Sequence, residues 1–236
     1  MDTPALLNQV RELRGQGKSP KQIARALGIS PSAVTPLIRA VAAERLVGEP
    51  ELVGCWVNAG WSVGLTVDPA RGWVDEAPEE ERTAGKASVL VARKQGWDKL
   101  TVVGYLVDVY CLGVKNARPP EVEDEMSMRE FRERYFSAYP SGYQEVPLDL
   151  AQHLVLGAVD YARSLGFEPH EDFAAAAGHL GEWTGPAAIT FGQEGKPFYL
   201  SGPYDKPRQV IKTLQRTVGD GNYDYILAMP EFDYIA

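Results

Sequence analysis

Histidine and cysteine are scarce, with three and two copies in 236 residues. Three histidines, His153, His170 and His179, are too few for a multi-histidine metal centre, which needs three or four converging ligands. Cys55 and Cys111 stand in strand-like apolar runs with no CxxC partner. They read as buried free thiols in a reducing cytoplasm. No apolar run approaches the roughly 18 residues of a membrane span. Asp2 and Pro4 stand near the start without a basic-then-apolar pattern, so neither a membrane segment nor a secretion signal is expected. GxSxG and HExxH are missing, as are a phosphate loop ending in Lys-Ser/Thr and a GxGxxG opening a helix. No cofactor and no metal site is expected from these absences, and no internal repeat is visible.

The composition that remains is globular, with 44% apolar and 24% charged residues. The net charge of −8 conceals an asymmetry. Residues 1–48 carry Arg11, Arg14, Lys18, Lys21, Arg25, Arg39 and Arg45 against Asp2, Glu12 and Glu44, a net of +4, which leaves −12 on the rest. A basic head on an acidic body suits a head that meets phosphate. It argues against the body being a broad nucleic-acid surface.

Leu6, Leu7, Val10 and Leu13 recur at helical spacing, so residues 4–14 read as an amphipathic helix ended by Gly15 and Gly17. Ser19 is a good N-cap, Pro20 takes the first helical position, and Ile23, Ala24 and Leu27 form an apolar stripe. Gly28 suits the left-handed stop of that second helix. Ser30 and Pro31 repeat the start signal, and Val34, Leu37, Ile38 and Val41 give the buried face of a third helix. Ile29, in the turn, is expected to pack inward.

The stretch SPKQIARALGISPSAVTPLIRAV resembles the helix-turn-helix of bacterial transcription regulators and sigma-factor-like domains. The resemblance implies a third helix in the major groove, with Ser32, Ala33, Thr35 and Arg39 facing DNA and Lys18, Lys21 and Arg25 near the backbone. Ser19 and Ser30 would offer helix N-termini to phosphates. Pro36 departs from the pattern, because it removes the N–H that would bond the Ser32 carbonyl and is expected to kink the helix. The alternative is a three-helix interaction module that never touches DNA.

With Gly48-Glu49-Pro50 as junction, the expected domains are a head, 1–48, and a body, 51–236. Gly54–Asn58 and Ser62–Val67 read as a hairpin through Ala59-Gly60. Trp73–Asp75 reads as a short strand and residues 76–86 as an acidic loop. Ala87–Arg93 and Leu100–Val114 are β-prone, with a bulge at Gly104. Residues 116–125 read as a polar connection. Helices are expected at Met128–Ala138, Leu148–Leu165, Glu171–Leu180 and Asp205–Val218. Ala188–Phe191 and Phe198–Leu200 read as a pair of strands joined by a hairpin turn, and Tyr223–Met229 as a last strand. The fold class is α+β: a small all-α head followed by a body with an antiparallel sheet.

Asp108, an acid inside an apolar β run, is either a metal-binding carboxylate or a solvent-facing one. Lys115 is either a phosphate partner or a strand-end surface lysine. Asp160, Arg163, His170, Glu171 and Asp172 form the best acid–imidazole cluster, although Asp160 also suits an i,i+3 pair with Arg163. His153 reads as structural. Of Trp56, Trp61, Trp73, Trp97 and Trp183, most should be core, with an exposed pair on the early hairpin as a stacking alternative. The body also resembles uncharacterised bacterial proteins carrying YLVDxYCLGVK, DYARSLGFEPH and FGxxGKPxYxSGPYD, a resemblance that implies no activity. The expected function is a cytoplasmic, homodimeric, regulatory protein binding double-stranded DNA. The alternatives are a metal-dependent nuclease using Asp108, Asp160, His170 and Asp172, and a protein-interaction module.

Overall fold

The computed structural model describes residues 3–15, 18–31, 33–38, 50–76 and 83–227. Ser32, Arg39, Val41, Gly48, Glu49 and Met229, and the side chains of Arg11 and Arg14, lie outside this description. The chain divides into two compact units, Met1–Glu51 with Lys94–Asp98, and Leu52–Arg93 with Lys99–Ala236. Among the described residues no helix is long and apolar enough to cross a membrane.

The first unit holds α1 (Thr3–Gly15), α2 (Pro20–Leu27) and a third helical segment, α3 (residues 33–38). Val10 of α1, Ile23 and Ala24 of α2, and Val34 of α3 are buried together, with Leu7, Leu13, Leu27, Ile29, Leu37 and Ile38 packed around them. Ile29 thus points inward from the turn. The start of α2 is a reciprocal capping box: Gln22 N donates to Ser19 Oγ at 3.3 Å, and Ser19 N donates to Gln22 Oε1 at 2.8 Å. Gly28, at φ 65°, ends α2 in the left-handed region that a residue with Cβ enters at a cost. The backbone stays helical through Pro36.

The second unit is built on a five-stranded antiparallel sheet in the order β5-β4-β3-β1-β6. Its strands are β1 (Leu52–Asn58), β3 (Lys86–Lys94), β4 (Leu100–Asp108), β5 (Gly113–Glu123) and β6 (Tyr143–Val146). Period-2 alternation divides the side chains between two faces. Cys55, Val57, Val89, Val91, Tyr105 and Val107 meet Leu150, Leu154, Val155 and Val159 of α5 (Leu148–Ser164). Trp56, Leu90, Ala92 and Val102 meet Met128, Phe131 and Phe136 of α4 (Glu125–Phe136). Both faces are therefore dry, which is why the middle of β3 is buried without a break.

Outside the sheet, β2 (Thr66–Val67) pairs antiparallel with β7 (Ile189–Thr190), and β8 (Phe198–Leu200) pairs parallel with β9 (Asp224–Ile226). Two helices complete the unit, α6 (Phe173–Ala176), continued by a 3-10 turn at Ala177–Leu180, and α7 (Pro207–Thr217).

Several sequence expectations give way, each for an identifiable physical reason. The early hairpin does not form, since β1 pairs with β3 and β6. The Asp75 carboxylate instead gathers Gly60 N, Ser62 N and Ser62 Oγ, each at 2.8 Å, into a turn that buries Trp61. Trp73–Asp75 is not a strand. The Gln144 amide holds this stretch to β6, donating to Val74 O and accepting from Glu76 N. Leu100–Val114 is two strands, because Asp108 closes a turn between β4 and β5. Residues 116–123 are strand rather than connection, since β5 is the sheet edge and its register against β4 slips at Pro119 and Pro120, where no regular ladder bond is required. The irregularity opposite Gly104 is real, with the extra residue on β5. The strands around Gln193–Lys196 join different sheets, although that turn closes a bridge between its ends. Trp56 and Trp61 are both buried, which removes the early-hairpin stacking pair, and Trp97 is the exposed tryptophan, at 62%.

Candidate nucleic-acid interface

The first unit presents its polar residues outward because its apolar ones are used inward. Val34 is fully buried, whereas its neighbours Ala33, Thr35 and Pro36 are exposed. On α2, Ile23 and Ala24 are buried while Lys21 and Arg25 are exposed, and Lys18 and Ser19 are exposed ahead of it. Ser30 is exposed and caps α3, its Oγ accepting from Ala33 N at 3.2 Å. Thr35 Oγ1 donates to Pro31 O at 3.0 Å, and the residue is exposed. Of the nine residues expected to meet DNA, seven are described and all seven are exposed; Ser32 and Arg39 lie outside the described residues.

The body's candidate acids separate. Asp108 is 1% exposed and spends both oxygens inside the protein. Oδ1 accepts from Tyr110 N at 3.1 Å and Cys111 N at 3.0 Å, and Oδ2 meets Lys86 Nζ at 2.5 Å. Asp160 accepts from Trp183 Nε1 at 2.9 Å, while Arg163 pairs with Glu168 rather than with Asp160. His170 Nδ1 and Asp172 Oδ2 are 3.4 Å apart on an open surface. Among the described residues no three His, Cys, Asp or Glu side chains group as ligands for a metal ion.

The sequence reading missed the charge network at the foot of β3, β4 and β5. Lys115 is not a loose surface lysine. Its Nζ donates to both oxygens of Asp205 at 2.7 Å. Asp205 does not cap α7, whose N-cap is Lys206; it accepts from Gly202 N at 2.7 Å and faces Tyr199 Oη at 3.4 Å. Burial works to raise the Asp205 pKa, but the Lys115 and Gly202 bonds outweigh it and hold the carboxyl below its ordinary value. Burial also pushes the Cys111 thiol far up, beside the Asp108 charge. Two of the quoted stretches, YLVDVYCLGVK and FGQEGKPFYLSGPYD, thus meet through Lys115 and Asp205. DYARSLGFEPH joins them where His170 N donates to Val114 O at 2.9 Å. The signal for Lys86 was a lone lysine opening an apolar strand near a lone buried acid. Pairing them needed the register. The network pairs its own charges and ties the start of β5 to the 201–205 loop.

His153 is 7% exposed, lies 5.0 Å from the Trp73 ring and 4.9 Å from the Trp183 ring, and accepts at Nδ1 from Ala188 N at 2.8 Å. Burial first, and the nearby Arg71 charge second, lower its pKa from 6.5.

No protein-family model, no curated protein and no solved structure matches this chain.

Proposed function

We propose that the protein binds double-stranded DNA through its N-terminal helices and serves transcription control, two copies supplying the two half-sites that such units use. The reading is supported above all by one observation. A three-segment apolar core turns Lys18, Lys21, Arg25, Ala33 and Thr35 outward together. The charge partition agrees, with +4 on residues 1–48 and −12 on the rest. α3 is the element for the major groove, with Ala33 and Thr35 offering methyl groups to thymine and Lys21 and Arg25 reaching phosphates. The setting is a reducing cytoplasm, in which the buried thiols Cys55 and Cys111 stay free.

The test begins with selection of duplexes from a random pool by the full-length protein, followed by anisotropy titration of the enriched sequence. The expected result is enrichment of a two-fold symmetric sequence, with Thr35→Ala altering base preference and Lys21→Gln weakening binding to all sequences alike. Failure to enrich any sequence, together with unchanged affinity in both variants, would overturn the reading.

A further inference from the structure

The body is acidic, yet one of its helices carries no acid at all. From Lys206 to Gly219 the sequence holds four basic residues and no Asp or Glu, in a chain with 32 acids in 236 residues. α7 lies within this run. Val210, Ile211, Leu214 and Val218 pack it against Tyr199, Cys111 and Leu165, which fixes its orientation. Arg208, Lys212 and Arg216, spaced i, i+4, i+8, then form one exposed stripe, with Lys206 exposed at its head.

Helix stability accounts for Arg216, a cation in the last turn, but not for Lys206, Arg208 and Lys212. Like charges at i,i+4 repel. Positive charge at the N-terminal end opposes the helix dipole, and α7 has no acid in its first turn and no side-chain cap. The acids that flank α7 are committed elsewhere: Asp205 to Lys115, Asp220 to the Gln215 amide and Asp224 to Lys196. Among the described residues none of the four cations is in an ion pair. A row of exposed cations without ion-pair partners, on an otherwise acidic body, suits a polyanionic partner.

We propose that the exposed face of α7 is a second polyanion contact, engaging the phosphate backbone of duplex DNA. This rests on the DNA-binding reading and adds to it. The row spans about 12 Å along the helix axis at 1.5 Å per residue. It tracks backbone phosphates and carries no base information.

The experiment measures affinity for one duplex against potassium chloride concentration, using full-length protein in three forms. These are the natural sequence, Lys21→Gln/Arg25→Gln in the head, and Arg208→Gln/Lys212→Gln/Arg216→Gln in α7. Each phosphate contact contributes about 0.9 to the slope of log affinity against log salt, so the α7 variant should reduce that slope by roughly 2 to 3. Arg208→Lys/Arg216→Lys should keep it. Lys212→Gln alone should lower it by about 1, which serves if the triple variant does not fold. An unchanged slope in a folded α7 variant, with the head variant impaired, overturns the α7 contact and leaves the head reading intact. A reduced slope in the α7 variant with an unimpaired head variant supports the contact and removes the head reading. No affinity in the natural sequence overturns both. Loss of salt-sensitive self-association in the α7 variant, with the DNA slope unchanged, would assign the stripe to the acidic body of a second copy and overturn the proposal.

Discussion

Asp108 and Lys86 make their strongest case at the level of single side chains. Asp108 is nearly sealed from water, and burying a carboxylate is costly unless it is hydrogen-bonded and paired. Lys86→Met removes one of three donors and leaves the charge. Its side chain is 23% exposed, so water replaces part of the loss. We expect a fall in unfolding free energy of about 2–3 kcal/mol, below the range for a fully dry pair, measured by urea denaturation. A neutral result would mean that Asp108 is held by its backbone donors alone.

His153 gives a pH dependence of known sign. Its folded pKa is lowered from 6.5, as is that of His179, in both cases chiefly by burial. The unfolded chain therefore binds protons more readily. Their contribution to stability is full above pH 6.5 and is lost as pH falls through the folded values. Asp205, lowered from 3.8, adds a second loss at lower pH. Thermal midpoints measured between pH 8 and 5 should drop, and His153→Gln should flatten that drop.

At the scale of elements, α5 is the helix on which the larger core rests. Leu154 is fully buried between α5 and the sheet. Leu154→Ala should cost about 2–5 kcal/mol, depending on how far the walls close in, read as a shift in the denaturation midpoint. Gly113, at φ 67°, lets β5 leave the turn directly beneath α5, where an added Cβ would stand 2.9 Å from the Ala158 carbonyl oxygen. Gly113→Ala should therefore destabilise even though it adds a single methyl group.

Elements with their own periodicity and caps were legible in the sequence. α5 was readable from its apolar spacing and Gly166, and α2 from Ser19, Pro20 and Gly28. The two free buried cysteines and the structural His153 followed from their apolar surroundings. The β connections were not legible, because side chains distant in sequence decide them. Asp75 makes a turn of residues 60–62 from 13 to 15 residues away, and Gln144 ties down residues 74–76 from about 70 away. Pro119 and Pro120 read as a break until β5 is known to be the sheet edge. The charge network failed to appear for the same reason, since Lys115 and Asp205 are 90 residues apart.

For the whole molecule, the proposal is that the N-terminal helices, with their outward Lys21, Arg25, Ala33 and Thr35, are a DNA-reading surface. Amide resonances assigned in the full-length protein, followed while the enriched duplex is titrated in, report on this residue by residue. We expect the largest shifts on residues 18–25 and 33–38, with a second, smaller set on 206–216 that fades first as salt rises. Shifts confined to the sheet and α5, with residues 33–38 unmoved at saturation, would contradict the proposal.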